Sequence, residues 1–243
     1  MEVLRTPRRG PPRTREEYRV ALEAAAANGR LRNFPPTVLR QLIERGVRLD
    51  AKARTVLYRE GDAPMFVVVV HGMLRVFTTA EDGREFTVFW SKPGGVVGQA
   101  TVAGGPGDLC AQAVTDVVVH VFPVELLESI ARKDGPTAWA LLEMTSARVH
   151  QMVGFLRMMA FQDLRGRVSQ RLTELTFRQP PEMGLVVEVT QQELADSVGS
   201  PRTSVARVLA ELREEGLIRT VPRGIEIVRL ERLVPGPKRS AVA

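Results

Sequence analysis

Thr190 to Arg219 reads TQQELADSVGSPRTSVARVLAELREEGLIR, and its punctuation describes two helices joined by a tight turn. Thr190 with Glu193 three residues on forms a capping box, in which each side chain satisfies an orphan backbone donor, so a helix starts there. Leu194, Ala195 and Val198 form its apolar face. Gly199 permits the turn, Ser200 suits the N-cap, and Pro201 suits the first helical position, where a missing N–H costs nothing. A second helix is therefore expected from Pro201. Val205, Val208, Leu209 and Leu212 recur at three-to-four spacing as its buried stripe, leaving Arg202, Thr203, Ser204 and Arg207 on the outer face of its first two turns. That end of such a helix reaches base edges in DNA. Gly216, Leu217-Ile218-Arg219, a turn with Pro222 and Gly224, and the alternating Ile225-Glu226-Ile227-Val228 then predict a hairpin. Helix, helix and hairpin make a winged helix-turn-helix.

With 243 residues, 44% of them hydrophobic, the chain is long enough for two modest domains or one large one. Its net charge of +6 favours a polyanionic partner. The charge is nearly all arginine, the lysines being Lys52, Lys92, Lys133 and Lys238. One cysteine, Cys110, excludes a disulfide or a cysteine-ligated iron–sulfur cluster within one chain. Phe66 to Val70 and Val117 to Phe122 are apolar runs of strand length, and the N-terminus has no hydrophobic signal core. These features predict a cytoplasmic protein with no membrane partner.

Ahead of the helix-turn-helix, residues 1–34 open with PRRGPPRTR, too rich in proline and arginine to pack, followed by an alanine-rich helix around Tyr18 to Asn28. A mobile or loosely docked extension is expected. From Pro35 to Pro123, short β-rich runs alternate with turns such as Glu60-Gly61-Asp62, His71-Gly72, Glu81-Asp82-Gly83 and Pro93-Gly94-Gly95. That spacing predicts a barrel or jelly roll. Pro123 to Ala131 then reads as a short helix and Pro136 to Phe161 as a long one. In the latter, Leu142, Thr145, Val149, Met152, Leu156 and Met159 alternate by three and four, the seam of a two-stranded coiled coil. Packing on its own domain is the competing reading, and Trp139, Leu141, Val153 and Phe155 supply a second apolar face. One face covering the β domain and the other a second copy gives a homodimer, which suits a two-fold symmetric DNA site.

The ordered set of parts resembles the cyclic-AMP receptor protein/FNR family of bacterial transcription regulators over Leu39 to Leu233. The resemblance is carried by LYREGDAPMFVVVVHGMLRVF from Leu57, EDGREFTVFW from Glu81, GGVVGQ from Gly94, MAFQDLRGRV from Met159, VTQQELADSVGSPRTSVARVL from Val189 and EEGLIR from Glu214. It implies an α+β chain: an N-terminal cyclic-nucleotide-type β-roll (residues 35–134), a long dimerisation helix and hinge (135–163), a winged helix-turn-helix (164–235) and a tail (236–243). It further implies double-stranded DNA, a second copy of the chain and RNA polymerase as partners, and no enzymatic activity; no nucleophile, base and orienting group share a motif in any case.

The family's cyclic-nucleotide binders carry Gly-Glu and then Arg-Ser around the phosphate. Here Gly98-Gln99 stands in place of the first pair, ATVAGGPGDLCAQAV after it holds no cation, and Asp108 lies near the expected arginine. A bound cyclic phosphate forfeits charge-assisted contacts worth roughly 1.5 to 3 kcal/mol each. Met152-Val153 replaces the Thr-Ser pair that serves the base, and the cysteine cluster of the FNR branch is missing. The expectation is an unidentified small-molecule effector, or none, in a pocket of Val97, Gly98, Gln99, Leu109, Cys110 and Met152, with Val102 and Leu156 as further apolar lining. Gly94, Gly95, Gly98, Gly104, Gly105 and Gly107 either shape a ligand loop or are plain turns. His71, His120 and His150 show no metal-ligand spacing, and no cofactor is expected. A haem role for His150 or a redox role for Cys110 stays open beside the more ordinary solvated histidine and inert buried thiol.

The recognition string departs too. The family's common form resembles R-E-T-V-x-R, whereas this chain has Arg202-Thr203-Ser204-Val205-Ala206-Arg207, with threonine for the cytosine-reading glutamate; similar strings with a non-acidic residue there occur in the family's nitrogen-control branch. Arg202 and Arg207 retain bidentate reach to guanine, and Thr203 offers a hydroxyl and a methyl. Thr190, Gln191, Gln192, Ser200 and Ser204 are the expected phosphate contacts. The alternative function, a ligand-sensing β-roll acting mainly through protein partners, requires the recognition-helix arginines to be buried or paired with acids.

Overall fold

The computed structural model describes residues 10–104, 107, 109–176, 185–222 and 224–233. Gly105, Asp108, the first part of the proline-arginine stretch and the 236–243 tail lie outside them. The chain divides into two units, Met1–Thr79 with Val88–Met152, and Ala80–Thr87 with Val153–Ala243.

In the first unit α1 (Arg15–Asn28) and α2 (Pro36–Arg45) precede β1 (Val47–Ala51), β2 (Val56–Tyr58), β3 (Phe66–His71), β4 (Leu74–Thr79), β5 (Glu85–Ser91), β6 (Val96–Val97), a 3₁₀ turn at Gln99–Ala103, β7 (Cys110–Ala113), β8 (Val117–Phe122) and α3 (Val124–Ala131). The strands form two four-stranded sheets, ordered β1-β8-β3-β6 and β2-β7-β4-β5. Alternation assigns the faces, since successive side chains on a strand point opposite ways. Val67 and Val69, Leu74 and Val76, Ala111 and Ala113, and Val117 and Val119 fill one core. Phe66, Val68, Val70, Val118 and Phe122 point the other way, into a second core closed by helices. This explains the unbroken apolar run of β3, which is buried on both faces.

That second core corrects the expectation of a loosely docked extension. Thr14 and Glu17 form a capping box that starts α1, and Leu22, Ala25, Ala26, Leu31 and Phe34 are all buried with the β3 and β8 side chains. The prolines of residues 1–34 all precede the helix, so composition averaged over that stretch hid an amphipathic segment. Tyr18 Oη lies 2.6 Å from Nδ1 of the buried His120, and Arg48 donates to the Pro12 carbonyl at 2.9 Å. At the far end Arg30 N donates to Gly94 O at 2.9 Å. A Cβ on Gly29 would fall 2.3 Å from that same oxygen, so the two backbones meet where no side chain fits.

The helix α4 (Gly135–Phe161) runs on from this unit into the second. There follow α5 (Leu164–Thr176), β9 (Val186–Val187), α6 (Gln191–Val198), α7 (Arg202–Glu214), β10 (Ile218–Val221), β11 (Gly224–Ile227) and α8 (Leu230–Leu233). Val168, Leu172, Leu194, Val198, Val205, Leu209, Leu212 and Ile225 are among the buried residues of this unit. The wing is a three-stranded sheet, β10-β11-β9, rather than the expected hairpin alone: Val187 pairs with Ile225. No helix among the described residues is long and apolar enough to cross a membrane.

Candidate nucleic-acid interface

The helix-turn-helix is set by three local devices. Thr190 Oγ1 accepts from Glu193 N at 3.1 Å while Glu193 Oε2 accepts from Thr190 N at 2.8 Å. Gly199 adopts φ +61, ψ +45, the left-handed conformation that glycine tolerates best, and its N–H bonds Ala195 O. Pro201 is then the N-cap of α7, with ψ of 144°, and its carbonyl accepts from Ser204 N at 3.0 Å and Val205 N at 3.2 Å. Ser200 was expected in that role, with the helix from Pro201. It is instead part of the turn, its N–H reaching Ala195 O at 3.2 Å. The one-residue difference makes Arg202 and Thr203 the first helical residues, where backbone N–H groups have no partner inside the helix.

On α7 Val205, Val208, Leu209 and Leu212 are buried, and Arg202, Thr203 and Arg207 are exposed. Thr203 and Arg207, four residues apart, share a face. Among the described residues no ion pair or side-chain hydrogen bond engages Arg202 or Arg207. Neighbouring arginines differ: Arg165 bonds Glu215 through both terminal nitrogens at 2.7 Å, Arg213 reaches Thr220 Oγ1 at 3.1 Å, and Arg219 lies 3.3 Å from Glu226. Of the expected phosphate contacts, Gln191 opens α6, Gln192 is exposed with its amide donating to Asp196 at 2.7 Å, and Ser204 is half-buried.

The long helix carries two apolar faces. Thr137, Ala140, Met144 and Met158 are buried, whereas Trp139 and Leu156 are each 63% exposed and Leu142, Val149, Met152 and Val153 also face solvent. Thr145 and Met159, which the spacing placed in the seam, are half-buried. Met159 Sδ lies 3.9 Å from Arg167 Nη1 within its own unit. Of the expected seam, Leu142, Val149, Met152 and Leu156 therefore face solvent, and at about 100° per residue Trp139 and Val153 extend that outer face on one side.

In the β-roll the expected pocket residues separate. Val97 is buried in the core between the sheets with Leu109 against it, Val102 lies in the helix-covered core, and Met152 is exposed. Cys110 is buried on β7 opposite Phe77, on the strand face away from Ala111 and Ala113. Gly98 is left-handed, φ +89, and leads into the 3₁₀ turn with Gln99 half-buried. A cation that composition did not flag reaches this segment from the long helix: Arg148 Nη2 donates to Val96 O at 3.1 Å, and its guanidinium carbon lies 3.6 Å from the Phe89 ring centroid. Arg75 is buried, bonding Gln112 and lying over Phe77, and the exposed Arg84 bonds Asp82.

His150 is exposed, with Nδ1 2.8 Å from Ser146 O one turn back. Burial holds His120 down to about 4, an effect only partly offset by the Leu42 and Ile43 backbone, and it pushes the Tyr18 hydroxyl up to about 12. The Tyr18–His120 hydrogen bond is therefore one between neutral groups. Among the described residues no group of three or more His, Cys, Asp or Glu could hold a metal.

Comparison with known proteins decides what these parts belong to. Residues 166–235 match the Crp-like helix-turn-helix domain and residues 48–134 the cyclic nucleotide-binding domain. The transcriptional regulator LdrP of Thermus thermophilus is 30% identical over 193 residues, 75% of this chain and 92% of that protein. The chain belongs to the CRP/FNR family of transcription regulators. This CRP/FNR regulator is also 25% identical over 217 residues to the CRP-like cAMP-activated global transcriptional regulator of Mycobacterium tuberculosis, covering 87% and 97% of the two chains. A solved CRP/FNR-family transcriptional regulator from T. thermophilus superposes with a TM-score of 0.65 at 27% identity, over 77% of this chain and 96% of that one. The family is one of DNA-binding regulators, not enzymes.

Proposed function

We propose that this CRP/FNR regulator acts in the cytoplasm as a homodimer on a two-fold symmetric DNA site, recruiting or blocking RNA polymerase, under an effector other than cyclic AMP or none. One observation carries the DNA reading: Arg202 and Arg207 stand exposed at the start of α7 with no acidic partner among the described residues, while its other face is buried. The alternative, action mainly through protein partners, required those arginines to be buried or paired. Two recognition helices spaced by about one helical turn of DNA, roughly 34 Å, read a palindrome. Sequencing duplexes retained by the purified chain from a random library tests this. A palindromic consensus bound with a steep negative salt slope is expected; recovery of random sequence overturns it.

The effector reading rests on the segment after Gly98. Gln99 accepts poorly where a ribose hydroxyl needs a carboxylate, and no cation follows through Ala113. Arg148 comes nearest in sequence logic, and its guanidinium is committed to Phe89, Val96 O and Gln151. Calorimetry with millimolar cyclic AMP should show no saturable heat. Micromolar binding abolished by Arg148→Met would overturn this and assign the phosphate to Arg148.

A further inference from the structure

The carboxyl end of α6 presents carbonyls that its own helix does not use. Ser197 O accepts from Arg171 Nε at 3.3 Å and Val198 O from Arg167 Nη1 at 2.8 Å. Cationic donors at this end of a helix satisfy orphan acceptors and oppose the negative pole of the dipole. Arg171 is only 3% exposed. Its Nη1 bonds Glu174 at 2.8 Å, and its guanidinium carbon lies 4.4 Å from the Phe155 ring centroid. Phe155 packs on Phe86, centroids 5.4 Å apart. Phe86 lies at the start of β5, in the segment Ala80–Thr87 that groups with this unit. A Cβ on Gly199 would come 3.4 Å from Phe86 and 3.1 Å from Met159, so the turn between α6 and α7 is enclosed as well as bonded.

We propose that Arg171, backed by Phe155 and Phe86, is a positioning residue for DNA reading. Stability alone is a weak reason for the arrangement, because Glu174 is partly exposed and a charge taken into the interior is often replaced by an apolar side chain of similar volume without loss. A planar guanidinium does something an apolar residue cannot: it fixes direction. Stacked on one ring and aimed at the last carbonyls of α6, it sets the attitude of that helix and so the point from which α7 projects Arg202 and Arg207. Recognition tolerates errors of only about 0.5 Å in such supports. Arg171 itself touches no base or phosphate in this account, which rests on the DNA reading above.

The test uses the full chain, the palindrome selected by the wild type and a scrambled duplex of equal length. Arg171→Met and Phe155→Leu should remain folded dimers by circular dichroism and sedimentation. Affinity for the selected site should fall on the order of tenfold, while scrambled-duplex affinity stays within about twofold and the salt slope is unchanged, since no phosphate contact is lost. Arg171→Lys should recover part of the loss. Unchanged selectivity in the folded variants overturns the proposal, as does parallel loss on both duplexes. If Arg171→Met fails to fold, the selectivity of Phe155→Leu decides by the same criteria. A wild-type chain that enriches no sequence overturns the DNA reading and this proposal with it; wild-type enrichment with unaltered variants overturns the proposal alone.

Discussion

The helices α4 and α7 each bury one apolar face and differ in what the other face shows to water. On α7 it shows Arg202, Thr203 and Arg207, the two cations having no acidic partner among the described residues. On α4 it shows Trp139, Leu142, Val149, Met152, Val153 and Leu156. An unpaired cation in water loses little by waiting for a polyanion, whereas a long apolar stripe stays unfavourable until another apolar surface covers it. The pair thus separates the two kinds of partner proposed above, DNA for α7 and a second copy for α4. The first helix, α1, is the contrast to both: its exposed Arg19 lies between Glu16 and Glu23, at 2.7 and 3.6 Å, so that cation is already answered.

Charging the α4 stripe should have the largest effect. Val149→Glu with Val153→Glu should abolish the dimer by sedimentation and lower affinity for the selected palindrome by about a hundredfold or more, because a single half-site forfeits the linked second one. Thr145→Glu, off the exposed stripe, should leave more dimer intact. A dimer that survives the double change breaks the comparison.

The docking of α1 supplies the next effect. His120 is held down to about 4, below the ordinary histidine value near 6.5. The unfolded chain therefore binds the extra proton between those values, so the neutral, Tyr18-bonded imidazole contributes its full stability above about pH 6.5 and loses it as pH falls toward 4. At about 1.36 kcal/mol per pH unit this amounts to about 3 kcal/mol. Urea melts across that range should show His120→Gln with a shallower acid loss than the wild type; equal slopes would remove α1 from the comparison.

On α7 the expected change is smaller and more selective. Arg207→Ala should cost about 1 to 3 kcal/mol at the selected site and relax preference at one guanine per half-site. Binding of a half-site panel checks it. Uniform weakening across the panel would mean that Arg207 meets phosphate and that the free cation marks only electrostatic attraction.

The legible parts of the sequence were those whose signals are local. The Thr190–Glu193 box, the glycine turn and the stripe from Val205 to Leu212 determine the helix-turn-helix within a few neighbouring residues. The β-rich runs likewise gave the roll. Other features depend on partners far along the chain. Val186 and Val187 become a strand only because β11 lies beside them, and a two-residue strand has no periodicity to detect. Arg148 and Arg171 look like ordinary surface charge on helices until Val96 O and Ser197 O are placed against them. On α4 two overlapping series of three-and-four steps share Leu142, Val149 and Leu156, so spacing alone could not fix the edges of the exposed face. Only burial tells Thr145 and Met159 from Trp139 and Val153.

The meeting of Gly29 with Gly94 couples the opening of two distant segments. Arg30 N–H is bonded to Gly94 O, Gly94 N–H to Val69 O, and Val69 N–H to Gly95 O. These amides link the end of α1, the turn before β6 and the centre of β3 in one hydrogen-bonded chain, with no side chain between the backbones to act as a slip plane. Their hydrogens are expected to exchange with solvent through a shared opening rather than by independent fraying. The first helix, which lies before the cyclic nucleotide-binding match at residues 48–134, and the turn that leads into Gly98 therefore belong to one cooperative unit.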